Sequence, residues 1–156
     1  MAVLNEHAAL NGICPYFTMF PLGFPLRILD KGATRGDWVL DPFCGRGTTN
    51  FASRLLGLPS LGVDSNPVAT AITASKLVDT SVADIMREAQ DILATPLPAT
   101  IPEGEFWNLA YHSDVLRDLC LIRDALRKGS ISSHVAAALR GIILGALHGP
   151  VGRTKH

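Results

Sequence analysis

Two short segments, VLDPFCGRGTT and LGVD, combine aspartates and glycines in a spacing that can bind a cofactor. In the first segment, Asp41 ends an apolar run, and Gly45 and Gly47 follow it closely. Glycines in such a turn let the backbone approach a ligand, and the N-terminus of a following helix offers N–H groups to negative charge. Asp64 ends the second segment, 23 residues after Asp41 and 19 after Gly45. An acidic residue at this spacing typically accepts hydrogen bonds from ribose hydroxyls, so the pattern predicts a ribose-bearing cofactor.

This chemistry requires both aspartates to lie at the carboxyl ends of parallel strands, where ligands bind in open α/β sheets. The segments Asp37–Asp41 and Leu61–Asp64 have the short apolar character of buried parallel strands. A helix is predicted after each strand, the first ending at Gly57 and the second opening at Ser65-Asn66-Pro67. Upstream, prolines limit the chain to a short helix from about Pro25. The order strand, helix, strand, helix predicts an α/β fold.

The second half of the chain has helical spacing. Ser81 is a predicted N-cap for a helix extending to Leu93, and a proline-rich linker follows over Thr95–Gly104. Two further helices are predicted, over Ser113–Lys128 and from Ser133 to about His148. Ile142–Leu147 was the alternative third strand, but Gly145 and the helical residues before it favour a helix. We expect one domain over 1–156, with a cofactor-binding core at 14–78 and a helical segment at 79–156.

The composition excludes several classes of protein. The 156 residues are 47% hydrophobic and 18% charged, which is incompatible with an intrinsically disordered chain. No apolar stretch reaches the ~20 residues of a membrane span, and the N-terminus lacks the pattern of a signal peptide. Three widely spaced cysteines and five scattered histidines favour neither disulfides nor a metal site. We therefore expect a cytoplasmic protein with no membrane partner and no metal.

The glycine turn does not match two common nucleotide-binding motifs. A dinucleotide fingerprint needs a third glycine where this chain has Asn50, and a phosphate-binding P-loop needs a lysine that the turn lacks. D-P-F-C-G-x-G-T-T instead resembles the S-adenosylmethionine loop of the class I methyltransferases. The resemblance is to the DNA amino-methyltransferases that modify adenine N6 or cytosine N4. It implies a partial Rossmann-like class I methyltransferase fold with a helix-rich C-terminal half.

The resemblance also implies roles for individual residues. Asp41, Phe43 and the turn from Gly45 to Gly47 would wall the methionine part of S-adenosylmethionine, and Asp64 would hold its ribose. Thr48 and Thr49, at the start of the following helix, would present hydroxyl and backbone donors to the cofactor carboxylate. The expected cofactor-binding residues are Thr18, Asp41, Phe43, Gly45, Gly47, Thr48, Thr49, Asp64 and Asn66.

A second segment, TMFPLGFPLRIL at Thr18–Leu29, resembles the stretch that these enzymes carry just upstream of the glycine loop. It implies that Thr18 lies at the cofactor carboxylate and that Phe20–Leu26 packs beside it. Together the two matches extend from Tyr16 to about Leu77, some 40% of the chain.

One motif of the family is missing from the sequence. Such enzymes hold the extruded base with an (Asp/Asn/Ser)-Pro-Pro-aromatic loop, and this chain contains no Pro-Pro dipeptide. It also has two convincing strands, whereas an average sheet has ~5–6. We therefore predict no catalytic residue in the chain and expect a fragment or truncated methyltransferase. A clipped chain, a frameshifted gene and a second chain completing the sheet all remain compatible.

Two other functions remain open from the sequence. RNA methyltransferases acting on guanine N2 have a similar cofactor loop, although Thr48-Thr49 and the upstream segment favour the DNA family. A non-catalytic S-adenosylmethionine-binding module is the other alternative. From Arg117 to His156 seven basic and two acidic side chains give +5, which offers a surface for DNA, although solvated helix faces explain such charge more simply.

Overall fold

The computed structural model describes residues 10–14, 20–96, 100–129 and 131–147. Seven helices and two strands lie wholly within these ranges, and they confirm a mixed α/β fold that is rich in helix. In chain order they are α1 (Gly23–Gly32), β1 (Val39–Asp41), α2 (Thr48–Leu55), β2 (Ser60–Gly62), α3 (Pro67–Lys76), α4 (Val82–Leu93), α5 (Glu105–Ala110), α6 (Ser113–Lys128) and α7 (Ser133–Ala146).

The two strands pair in parallel, with Leu40 opposite Leu61 and Asp41 opposite Gly62. Both strands are shorter than predicted. Asp37 belongs to the preceding turn, because its carboxylate accepts hydrogen bonds from the N–H and hydroxyl of Thr34, both at 2.8 Å. Asp64 lies two residues beyond β2, in the connection to α3. Asp41 therefore ends β1 as predicted, whereas the prediction that Asp64 ends the second strand is wrong, because Asp64 lies beyond β2 at the same edge of the sheet.

Helix α2 covers one face of this sheet. The side chain of Asn50, fully buried on α2, donates to Ser60 Oγ of β2 at 3.2 Å, so the face of β2 that carries Ser60 points toward the helix. Leu40 and Leu61 point to the opposite face, where they are 63% and 55% exposed. Trp38, two residues before Leu40, is 73% exposed. The described residues therefore leave one apolar face of the sheet uncovered.

The helical half has its own apolar core, formed by α4, α6, α7 and Ile131, which lies two residues before α7. Its buried members are Ile92, Leu121, Ile122, Ile131, Val135, Ala136 and Leu139. This half joins the sheet half through a contact between α3 and α7. The contact is close because α7 has Gly141 there: a Cβ at this position would lie 2.3 Å from the Cβ of Ser75.

Two helices, α1 and α5, differ from the sequence prediction, and α7 decides between the two alternatives for Ile142–Leu147. Helix α1 begins at Gly23 and takes Pro25 into its first turn, where a missing N–H costs little. The six residues of α5 were not predicted, because they are too few to show a periodicity. Ile142–Ala146 is helical rather than a third strand. None of the described helices is long and apolar enough to cross a membrane.

Candidate cofactor-binding site

The site is organised by a hydrogen bond between the two segments that the sequence singles out. The backbone N–H of Gly45 donates to Asp64 Oδ2 at 2.9 Å, and the N–H of Asn66 donates to Asp64 Oδ1 at 2.8 Å. These N–H groups hold the pKa of Asp64 below its usual range, with the bond from Asn66 the larger cause. The carboxylate therefore stays ionised and fixes the glycine loop against the end of β2.

The loop between β1 and α2 is a tight turn. The N–H of Gly47 donates to the carbonyl of Cys44 at 2.6 Å, and the N–H of Cys44 donates to the carbonyl of Val63 at 2.9 Å. Gly45 and Gly47 have φ values of 51° and 69°, a left-handed conformation that favours glycine. The predicted glycine turn is therefore present, and its position next to β2 is fixed by backbone hydrogen bonds.

Thr73 of α3 is a residue of this site that the sequence analysis missed. Its hydroxyl donates to the carbonyl of Gly45 at 3.1 Å, and its side chain is buried. It also explains why Gly47 must be glycine, since a Cβ there would lie 2.6 Å from Thr73 Oγ1. The signal available in the sequence was a threonine next to Ile72 on the helix after the second strand, at an inward-facing position.

Three other predicted residues surround the same loop. Asp41 Oδ1 accepts a hydrogen bond from the N–H of Phe43 at 3.2 Å, which keeps the aspartate at the mouth of the turn. The Phe43 ring is 87% exposed and so is accessible to a ligand. The side-chain oxygen of Asn66 accepts from the N–H of Val68 at 2.9 Å, so this side chain caps α3.

The two threonines after the turn differ in exposure. Thr48 begins α2 and is only 4% exposed, whereas Thr49 is half-buried and its carbonyl accepts a hydrogen bond from Ser53 Oγ at 2.9 Å. Thr18 lies outside the described residues. Of the upstream segment, Phe20 and Phe24 form an edge-to-face pair with ring centroids 5.7 Å apart.

Two buried cations lie behind the loop. Arg46, between the two loop glycines, donates to the carbonyl of Asn11 at 3.3 Å, and Lys76 Nζ donates to Asn11 Oδ1 at 3.2 Å. Both side chains are buried. Burial of the ammonium, followed by repulsion from Arg46, lowers the pKa of Lys76 to about 8, against a smaller opposing effect of Cys14. Asn11 thus joins the glycine loop to the end of α3.

The residues at the loop fit a ribose-bearing cofactor. Each carboxylate oxygen has two acceptor positions, so Asp64 keeps one position on each oxygen after it accepts the two backbone N–H groups. The nearest atom to a Cβ built at Gly45 is the Phe43 carbonyl at 4.0 Å, which leaves open space beside the loop. An anionic group near the N-terminus of α2 would also be favoured by the helix dipole.

Sequence comparisons relate the residues around this site to DNA methylases. Residues 4–75 match the family model described as DNA methylase. The chain is 45% identical over 66 residues to the Type II methyltransferase M.BsoBI of Geobacillus stearothermophilus, covering 42% of this chain and 13% of that protein. It is 40% identical over 45 residues to the Type II methyltransferase M.MthZI of Methanothermobacter thermautotrophicus, covering 29% of this chain and 13% of that protein.

The matched part is therefore a small share of each curated relative, 13% of its length in both cases. No solved structure matches the chain significantly. The described residues form a mixed α/β fold. The matched residues include both loop glycines and Asp64, whose carboxylate accepts the hydrogen bond from the N–H of Gly45. The N-terminal part of the chain, residues 4–75, is thus similar to the DNA methylase family.

Proposed function

We propose that the chain is the cofactor-binding part of an S-adenosylmethionine-dependent DNA methyltransferase that modifies the amino group of adenine N6 or cytosine N4. The observation that carries the proposal is the hydrogen bond from Gly45 to Asp64. It brings together a glycine loop and an acidic side chain at the same end of two parallel strands. This is the arrangement in which open α/β sheets bind ribose-bearing cofactors.

Within this proposal, the chain's own residues bind and orient the cofactor. Asp64 accepts hydrogen bonds from the ribose hydroxyls, and the exposed ring of Phe43 covers the methionine part together with Asp41. Backbone N–H groups of Thr48 and Thr49 at the start of α2 receive the cofactor carboxylate. Asn66 acts by capping α3, which holds Asp64 in position. S-adenosylmethionine supplies the transferable methyl group when it is bound.

Base recognition requires polypeptide other than the residues of this chain. The sequence contains no Pro-Pro dipeptide and so lacks the loop that holds an extruded base in this family. The uncovered face with Leu40 and Leu61 supports the proposal that further polypeptide packs on the sheet. We propose that this polypeptide, in the same or a second chain, supplies the catalytic loop. DNA then contacts it, or the basic segment that begins at Arg117.

The alternatives receive less support. Both curated relatives are named as Type II methyltransferases and the family model is a DNA methylase, so the comparisons do not favour an RNA guanine-N2 enzyme. A non-catalytic cofactor-binding module shares the site and differs only in what it does with the cofactor. Our proposal of a cytoplasmic location rests on three buried cysteines that are all free thiols, as a reducing compartment favours.

The test is a set of paired binding and transfer assays. We expect the purified chain to bind S-adenosylmethionine and S-adenosylhomocysteine in preference to NAD or ATP, because the loop lacks the motifs for those nucleotides. We expect the chain alone to transfer no tritiated methyl group to duplex DNA, since it has no base-binding loop. Preferential binding of NAD or ATP would contradict the cofactor assignment. Methylation of transfer RNA would contradict the DNA assignment.

A further inference from the structure

A groove of about 760 Å³ lies between α3, α5, α6 and α7, and its α3 wall begins at Pro67, directly after Asn66. Most of its walls are aliphatic or aromatic, and they include Leu119, Leu126, Ile143 and Leu144. Neither the loop glycines nor Asp64 line it. Volumes of ~300–1,000 Å³ with mainly apolar walls are typical of small-molecule sites, which often lie between packed helices.

The charged side chains that line the groove all have the same sign. They are Arg123, Arg127 and Arg140, and no aspartate or glutamate is among the lining residues. Arg123 is already committed, since it pairs with Asp124 at 2.8 Å and donates to the Thr100 carbonyl at 2.7 Å. Arg127 and Arg140 therefore supply the charge that a ligand would meet.

These two arginines lie at one end of the groove. Arg140 Nη2 donates to the carbonyl of Leu126 at 3.4 Å, which holds its guanidinium beside the last turn of α6, the turn that carries Arg127. The other end is apolar and aromatic, with Leu116 at the start of α6 and the stacked rings of Trp107 and Tyr111. From Leu116 to Arg127 the helix rises ~16 Å. The groove is thus elongated, with positive charge at one end.

We propose that this groove binds an amphipathic anion, a molecule with one carboxylate or similar head and an extended aliphatic body. The head pairs with Arg127 and Arg140, and the body lies along α6 toward Trp107. A cationic ligand is disfavoured, because no acidic side chain lines the walls. The proposal rests on the groove's own lining residues and not on the proposed methyltransferase function.

Trp107 gives a direct optical test. The chain has two tryptophans, so a Trp38→Phe background leaves Trp107 as the single reporter, and Trp38 lies on the sheet away from the groove. Dodecanoate is titrated below its critical micelle concentration. Dodecyltrimethylammonium is the control with the same alkyl chain and the opposite charge, and acetate is the control with the carboxylate but no long alkyl chain. We expect saturable one-to-one binding of dodecanoate with a blue shift of Trp107 emission. The cation should bind about tenfold more weakly or worse, as expected for losing a charged hydrogen bond.

Variants separate the groove from nonspecific uptake. Arg127→Gln with Arg140→Gln should remove the preference for the carboxylate, whereas Arg87→Gln, on α4 outside the lining, should leave it unchanged. Leu119→Phe reduces the volume without adding charge and should weaken dodecanoate binding at least several-fold. Circular dichroism verifies that each variant is folded. Equal binding of both alkyl ions, binding unaffected by the arginine pair, unfolding by dodecanoate, or no saturable binding would each overturn the proposal.

Discussion

The backbone N–H of Gly45 and the carboxylate of Asp64 are joined at 2.9 Å, across 19 positions of sequence. This bond connects the loop after β1 to the connection after β2, which are adjacent because the strands pair in parallel. A loop that is held by a carboxylate at one side and by Thr73 at the other is positioned before any ligand arrives. Such preorganisation lowers the cost of ordering a binding loop.

Gly47→Ala should destabilise the protein strongly. The new Cβ would lie 2.6 Å from Thr73 Oγ1, and the left-handed φ of 69° adds strain. Gly57→Ala is the matched control, since Gly57 has the same φ of 69° but no heavy atom within 4 Å of its Cβ. We expect Gly57→Ala to lower the free energy of unfolding by about 1–2 kcal/mol, from backbone strain alone. Gly47→Ala should lower it by about 1–3 kcal/mol more, as measured by urea denaturation. Equal losses would show that Thr73 does not constrain the loop.

Thr73→Val should loosen the glycine loop. The substitution keeps the shape of the side chain but removes the hydroxyl that donates to the Gly45 carbonyl. We expect a stability loss of about 1 kcal/mol and a several-fold weaker affinity for S-adenosylmethionine. Thr70→Val, one turn earlier on α3, removes an exposed hydroxyl bonded to the Pro67 carbonyl and should leave affinity unchanged. If both variants bind the cofactor like the wild type, Thr73 has no role in the site.

Stability should rise with pH in the alkaline range because of Lys76. Its pKa falls from 10.5 to about 8 in the folded protein, so between these values the unfolded chain holds a proton that the folded chain has lost. The free energy of unfolding therefore increases across this window, by an amount on the order of 3 kcal/mol. Below pH 8 the charged ammonium stays buried beside Arg46 and Cys14, and this gain is absent.

Lys76→Met tests this dependence. The variant should lose the rise in unfolding free energy between about pH 8 and 10.5 in urea titrations. Lys31→Met, at an exposed position of α1, should retain it. A rise of the same size in Lys76→Met would mean that another group titrates.

The sequence predicted the parts of the site that are formed by consecutive residues. It did not predict the contacts between residues that are far apart in sequence and meet only through packing. The apolar runs, the glycine turn and Asn66 as the start of a helix carry strong local signals. Thr73 was missed because the sequence alone does not show which face of α3 meets the loop. The buried position of Lys76 was equally unpredictable, since lysines almost always stay in water. β1 begins later than predicted because turn hydrogen bonds to Asp37 compete with strand pairing.

The central claim, a cofactor site built on Asp64 and the glycine loop, is tested most directly by calorimetric titration with S-adenosylmethionine. Asp37→Ala is the matched control, because this carboxylate also accepts local hydrogen bonds but lies before β1, at the opposite end of the strand. We predict that the wild-type chain and Asp37→Ala bind the cofactor. Asp64→Ala, folded by circular dichroism, should bind at least about tenfold more weakly. A folded wild-type chain that does not bind, or an Asp64→Ala variant with unchanged affinity, would contradict the claim.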